Sequence, residues 1–406
     1  MDFTPFRHRD FRLLYAAQTI SLLGSMLTYV ALPYQMYART GSSLAVGLLG
    51  LAELVPLLIT AFVGGALADA VDRRRMVMAT DIALGAGTVV LATMAHSPAT
   101  PVWALYAMAA YMSAFNGLQR PSIEALTPRF VERDEIPAAA ALALLRGSVG
   151  MMAGPALGGI LLASVGPVAT YALDGASYLI ALLCFAFMRP VPPGEHAERP
   201  GLSTIVDGLR YARSRQELIG TYLVDIVAMV FGMPFALFPA IAERLGGASV
   251  LGLLYAAPAA GAFVASLTSG WTRRVHRHGL AIMAAASIWG VAIVLFGLCD
   301  QIVPAAICLA IAGGADGISG IFRLTMWNQT IPDSVRGRMA AIEIISYTSG
   351  PLLGHAEAGV AAAWFGVRTS VVSGGVLCVV GVGLCALLLP RFVTYDARRV
   401  SAEQAA

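Results

Sequence analysis

Twelve apolar runs, each about the twenty residues that an α-helix needs to cross a bilayer, follow one another along this chain with short polar breaks between them. Their approximate limits are 11–37, 44–69, 76–95, 102–126, 138–163 and 168–188, then 218–242, 250–271, 280–299, 303–330, 340–363 and 368–389. Inside hydrocarbon every backbone N–H and C=O must be satisfied within the protein, so runs of this length are expected to be helices. Composition supports that reading. The mean hydropathy is +0.73 and charged residues make up 13%, where soluble domains carry about 25%. A single core does not grow large enough to hide the apolar surface of 406 residues from water. The expected fold class is therefore an all-α, multi-pass membrane protein with twelve transmembrane helices. Its first residues, Met1-Asp2-Phe3, carry charge and precede no small-residue cleavage site, so a removable signal peptide is not expected.

The runs fall into two sets of six. Residues 189–217 between them are rich in Pro, Glu and Arg and read as a linker, whose part from Ile205 to Leu218 suits a short amphipathic surface helix. The expected organisation is a six-helix bundle over 1–188, a linker over 189–217, and a second bundle with a short tail over 218–406. An internal repeat supports it. Val46-Gly47-Leu48-Leu49 recurs as Leu251-Gly252-Leu253-Leu254, and Gly65 recurs as Gly270, both at an offset of 205. Arg120 answers Arg323, and Gly154-Pro155-Ala156-Leu157-Gly158 answers Gly350-Pro351-Leu352-Leu353-Gly354. Two homologous halves in one order imply a pathway between them. Arginine placement orients the chain: 21 arginines fall on the side of the termini and linker, against Arg39, Arg244 and Arg368 opposite. Basic loops stay inside, so both termini and the linker are expected in the cytoplasm.

Several chemistries are excluded. All 27 basic residues are arginine, so no phosphate-cradling GxxxxGKS/T loop and no Schiff-base or general-base lysine exists. A GC-rich genome explains the bias without selection. Cys184, Cys299, Cys308, Cys378 and Cys385 show no CxxC spacing and read as small buried residues. His8, His96, His196, His276 and His278 are scattered, so no metal site and no cofactor are expected. The arginines follow topology rather than one patch, which speaks against nucleic acid. No nucleophile–base spacing marks an enzyme.

The stretch from Gly65 to Asp69, with Arg73-Arg74-Arg75 close behind, closes the second run. Gly65 would let a neighbouring helix approach closely. Asp69 would favour the positive end of an adjacent helix dipole, and Arg73 would pair with it or with acids across an interface. Such contacts hold in one conformation and break in another. Arg74 and Arg75 also read as plain topology anchors. The stretch resembles the conserved loop G-x-L-A-D-R-x-G-R-R of the major facilitator superfamily, matching at Gly65, Leu67, Ala68, Asp69, Arg73 and Arg74. Ala70 stands for the usual Arg and Asp72 for the usual Gly, so the charge network is thinned or rearranged. The resemblance implies two pseudo-symmetric six-helix bundles and a conformational gate at Gly65, Asp69, Arg73 and Arg74. In the fifth run, Gly150, Gly154, Pro155, Gly158 and Gly159 look like the motif of that superfamily's proton-coupled exporters. Small residues four apart allow tight helix contact, and Pro155 frees a carbonyl and bends the helix. Leu173-Asp174-Gly175-Ala176-Ser177-Tyr178 and Pro332-Asp333-Ser334-Val335-Arg336-Gly337-Arg338 narrow the likeness to the drug:proton antiporter branch, which takes in bacterial siderophore exporters and macrolide efflux proteins.

Ionisable groups inside membrane spans are functional candidates because burying them is costly. Glu53 and Asp316 lead, with Asp225 next; Arg120 and Arg146 are candidate positive partners, and Asp174 completes the proton-coupling set. Asp174, Asp81 and Glu343 near span ends also read as capping groups. Arg120 and Glu124, four residues apart, also read as a simple ion pair, and His355 as a packing residue. A cavity lined by the first, fourth, seventh and tenth helices would offer Gln18, Tyr29, Tyr111, Asn116, Gln119, Asp225, Met229, Phe231, Met233, Phe322 and Met326 to substrate. Aromatic and Met-rich walls suit bulky, partly apolar ligands; the same residue types also face lipid. The reading is a monomeric secondary transporter that exports a drug, secondary metabolite or siderophore against protons by alternating access. An importer or lipid flippase of the same fold, or a non-transporting membrane receptor, is the alternative.

Overall fold

The computed structural model describes residues 2–97, 99–192, 210, 211, 213 and 215–398, with main chain only at 66, 69, 333, 334, 336–338, 340, 341 and 344. Among the described residues there are thirteen α-helices and no strand. They are α1 (Arg9–Thr40), α2 (Ser43–Ala70), α3 (Arg73–His96), α4 (Val102–Leu126), α5 (Ile136–Ala186), α6 (Gln216–Gly232), α7 (Phe238–Leu245), α8 (Ala248–Leu267), α9 (His278–Leu298), α10 (Ile302–Thr330), α11 (Asp333–Phe365), α12 (Val367–Leu388) and α13 (Pro390–Val393). Nine stretches among the described residues are long and apolar enough to cross a membrane. One of them covers two expected spans, because α5 breaks at Gly166. Two further helices of spanning length are more polar: α4 carries Asn116, Gln119, Arg120 and Glu124, and α11 carries Glu343, His355 and Glu357. Large apolar side chains on the spans stand exposed, Ile160 at 58% and Leu387 at 79%. Surface of that kind is stable against lipid and not against water. Most of the expected linker, with its surface helix, lies outside the described residues.

Two glycines make the repeat visible in the backbone. Gly166 has φ 77° and ψ 175° inside α5, and Gly366 has φ 85° and ψ 155° between α11 and α12. Both conformations belong to a region that is essentially glycine-only. They mark the same junction, after the fifth and after the eleventh expected span.

The chain divides into two compact units. The first holds Met1–Gly41, Leu51–Pro200 and Ala242–Ala256; the second holds Ser42–Gly50, Gly201–Ile241 and Ala257–Ala406. Within the first, α5 packs along α1 and α3, and α3 packs on α4. Within the second, α6 stands where α1 does, against α11 and α12, while α9 packs on α12 and α10. The contact pattern of one unit is thus the pattern of the other shifted by half the chain. The α1–α5 seam rests on the expected small-residue stripe. A Cβ added at Gly150 would strike Leu22, and one at Gly154 would meet Met26 Cβ at 2.5 Å. At Gly158 it would lie 3.4 Å from Leu27 Cα. A Cβ at Gly159 would instead strike the backbone of Gly252 on α8 at 2.5 Å.

One end of the first unit is closed by an apolar cluster of Phe11, Leu14, Val77, Leu126, Phe130, Leu142, Phe185, Met188 and Val191. The polar loops around it are tied down by hydrogen bonds. Asp72 caps α3, accepting from Arg75 N at 3.0 Å, and its other oxygen accepts from Val191 N at 3.1 Å. Arg73 N returns a bond to Val191 O at 3.1 Å. Arg74 donates to the carbonyls of Phe185 (2.7 Å) and Ala186 (2.6 Å). Arg189 pairs with Asp10 at 3.2 Å and donates to Arg129 O at 2.8 Å. The α2–α3 loop therefore clamps the chain where it leaves α5. Asp72→Ala removes a helix cap and orphans the Val191 amide, and should cost about 1 kcal/mol. Hydrogen exchange at Val191 should quicken in this variant, and an unchanged rate would show that the bond carries no weight.

Candidate functional site

In the second unit, α6 and α10 bring three charges together. Asp316 and Arg323 are seven residues apart on α10, two helical turns, and so share a face. Arg323 forms an ion pair with Asp225 of α6, and its Nη2 lies 3.4 Å from Asp316 Oδ1. Arg323 is 7% exposed and Asp225 is 9% exposed, whereas the Asp316 side chain is 40% exposed. Arg323 Nε has no partner among the described residues. Glu343 and Tyr347 of α11 lie within electrostatic reach of the same guanidinium. A small cavity meets the group, lined by Asp225, Asp316, Ser319, Met229, Val224, Ala228, Ala286 and Trp289. Trp289 is fixed there by donating to Gly232 O at 2.9 Å. The arrangement can store a permanent positive charge between two acids that differ in access to solvent. In sequence Arg323 is visible as one of the ionisable residues deep in the spans and as the repeat partner of Arg120, but not as the partner of Asp225 and Asp316.

The first unit does something different with the equivalent positions. Arg120 points outward, 53% exposed, and pairs with Glu124 at 3.0 Å. Asp174 and Asp81, buried within the unit's spans, have no basic partner among the described residues, unlike Glu135, which meets His8 Nε2 at 2.7 Å. Asp174, fully buried, accepts the Thr28 hydroxyl of α1, and Ser177 Oγ lies 3.3 Å from its Oδ1. Asp81 accepts from Gln119 Nε2 at 2.5 Å, and its second oxygen has no partner among the described residues. Arg146 stacks over the Tyr15 ring at 5.6 Å. Glu53 is half-buried on α2, where its carbonyl accepts from Ser113 at 2.8 Å.

The remaining expected residues are dispersed. Gln18 is buried with Nε2 unpartnered among the described residues, and Tyr29 meets Tyr255 edge-on at 5.2 Å. Tyr111 donates to Ala83 O at 2.8 Å, and Asn116 to Met112 O at 2.9 Å. Phe231 and Met233 at the end of α6 are half-buried. Met229 lies at the Asp225 cavity. Phe322 and Met326 are buried in the second unit, Phe322 against Trp271 and His278. In the α2–α3 loop, the Asp69 side chain lies outside the described residues. A Cβ at Gly65 would meet nothing within 4 Å; the close approach belongs to Gly64, where a Cβ would lie 2.6 Å from Leu118 O. Arg73 Nε donates to Ala68 O at 3.1 Å.

A two-unit, multi-pass helical protein with charges buried inside a helix bundle defines a membrane transporter rather than an enzyme. The chain matches, over residues 1–404, the family described as transmembrane secretion effectors, and it belongs to that family of the major facilitator superfamily. It is 29% identical over 384 residues to the enterobactin exporter EntS of Shigella boydii serotype 18, covering 94% of this chain and 92% of the relative. The enterobactin exporter of Escherichia coli O81 gives the same identity and coverage. Among solved structures, a point mutant of the nucleoside transporter NupG has a TM-score of 0.78 at 12% identity, covering 93% of this chain and 99% of that one. A bacterial homologue of the human lysosomal transporter Spinster, inward-facing and unoccupied, has a TM-score of 0.76 at 15% identity, covering 97% and 99%. At such identities the likeness concerns the fold.

Proposed function

We propose that the chain exports a bulky, partly apolar small molecule in exchange for protons, with the Asp225–Arg323–Asp316 group as the coupling site. The observation that carries this reading is a buried, permanently charged guanidinium held between two carboxylates beside a cavity. Protonating either acid weakens its hold on Arg323, so the proton shifts the balance between two conformations only through that differential contact. The cargo class rests on the enterobactin exporters to which the chain is similar and on the Met and aromatic side chains near the site; a siderophore, drug or secondary metabolite fits it. The 21-to-3 arginine split supports both termini in the cytoplasm of a bacterial inner membrane. The chain acts as a monomer of two pseudo-symmetric bundles over 1–188 and 218–406, gated at the loop containing Asp69, Arg73 and Arg74.

Everted membrane vesicles energised to be acidic inside should accumulate an exported siderophore or drug, and a protonophore should collapse the accumulation to the passive level. Accumulation that survives the protonophore would refute proton coupling. Uptake only in right-side-out vesicles would make the protein an importer.

A further inference from the structure

The second unit contains a polar cavity that shares no lining residue with the cavity at the coupling group. It has a volume of about 590 Å³, within the usual range of small-molecule sites. Four stretches of chain build it. The 3-10 turn after α8 gives Thr272 and Arg273, the lead into α9 gives His276 and His278, α10 gives Phe322, Thr325 and Gln329, and the tail gives Arg398. The tail is docked rather than merely adjacent. Ala397 N donates to His276 O at 3.0 Å, and a Cβ on Gly279 would collide with the Phe392 carbonyl. Tyr395, its phenol pushed up to about 12 by burial and by the nearby Glu217 carboxylate, keeps its proton and donates to Gln329 at 3.2 Å.

The chemistry of the walls is one-sided. Arg273 and Arg398 have no carboxylate partner among the described residues, and no described lining residue is acidic. Asp396, the acid on the tail, accepts the backbone N–H of Arg398 at 3.0 Å. His278 is 5% exposed, and its Nδ1 is buried without a partner among the described residues. The Thr272 and Thr325 hydroxyls already donate to Ser269 O and Ile321 O, both at 2.7 Å, but two guanidinium forks, two imidazoles and an amide still supply more donors than the two oxygens of a carboxylate can accept. They match an oxyanion with three or four oxygens, such as the phosphate that arginine binds bidentately. The apolar side formed by Val275, Ile321 and Phe322 leaves room for an organic substituent on that group.

We propose that this cavity binds a phosphate group, carried by a soluble phosphate or by the headgroup of an anionic lipid. The test uses the purified full-length protein. In one arm, thermal unfolding is followed with inorganic phosphate against chloride of equal ionic strength, because a ligand of the native state raises the midpoint. In the other, native mass spectrometry measures retention of short-chain phosphatidylglycerol against phosphatidylcholine. A shift in the first arm alone identifies a soluble phosphate, and preferential retention in the second identifies the lipid. Arg273→Ala with Arg398→Ala should weaken whichever binding is seen by tenfold or more, about the loss of one charge-assisted contact. Thr272→Glu leaves both arginines in place, adds a negative charge to the wall and should weaken it comparably. Binding in neither arm by the wild type, or wild-type binding by either variant, overturns the proposal.

Discussion

Replacing Arg323 with alanine should abolish gradient-driven transport, lowering initial rates in energised vesicles by about a hundredfold or more. The physical reason is an imbalance rather than a lost contact. With the guanidinium gone, Asp225 stays 9% exposed with no cation to face, and breaking a buried pair by removing one partner costs roughly 3–5 kcal/mol. The protein can relieve that cost by holding Asp225 protonated, which fixes the site in one of its two states. Adding Asp225→Asn to the alanine variant should therefore restore thermal stability while leaving the protein unable to couple. Asp316→Asn separates the two roles further. It leaves the Arg323–Asp225 pair intact, and its own contact is long and 40% exposed on the acid side, so stability should change by less than about 1 kcal/mol. Accumulation against a gradient should nevertheless be lost, with downhill efflux retained. Wild-type coupling in the Arg323 variant would remove this group from the mechanism.

Gly313→Val should be among the most damaging substitutions of a single small residue in the second unit. A Cβ at Gly313 would sit inside the backbone of Pro258 on α8, and one at Gly261 would sit inside the backbone of Ala310 on α10. The two glycines thus let α8 and α10 touch main chain to main chain. Backbone atoms cannot rotate away as a side chain would, so the helices must part. Overpacking of a closed seam costs typically 1–3 kcal/mol and sometimes more; about 3 kcal/mol is expected here, read as a lowered unfolding midpoint in detergent. Gly383→Val on α12 is the control, since a Cβ there would meet nothing within 4 Å. Equal stability of the two variants would mean that the α8–α10 contact is not tight in the folded protein.

The helices were legible in the sequence because a membrane asks for little beyond length and apolarity. The expected run 102–126 coincides with α4, and 303–330 differs from α10 by one residue. Junctions were less legible. Nothing in the apolar pattern marked Gly166 and Gly366 as the backbone reversals between paired spans, because a glycine's φ leaves no trace in hydropathy. The acids of the charge group on α6 and α10 were legible one at a time, as charges in apolar runs. So was Arg323, but its pairing with them was not, since pairing depends on how α6 and α10 face each other and periodicity alone does not give that. The repeat pointed to Arg120 and Arg323 together, and burial separated them: one carries an exposed pair with Glu124, the other a buried charge. Asp72 read as a departure from a family motif, and its role in holding Val191 rests on a neighbour more than a hundred residues away.

An arginine does not give up its proton under any condition a cell imposes, so the group on α6 and α10 has a simple electrical account. With both acids ionised its net charge is minus one; with one proton aboard it is zero. A single proton per turnover follows from the proposed coupling, and the electrogenicity of the exchange is then set by the cargo. A neutral cargo leaving as a proton enters moves one charge inward, an anionic cargo moves two in the same sense, and a monocation moves none. Membrane voltage would thus favour the export of acidic siderophore-like molecules over cationic drugs, a preference fixed by one guanidinium and two carboxylates rather than by the shape of any binding pocket.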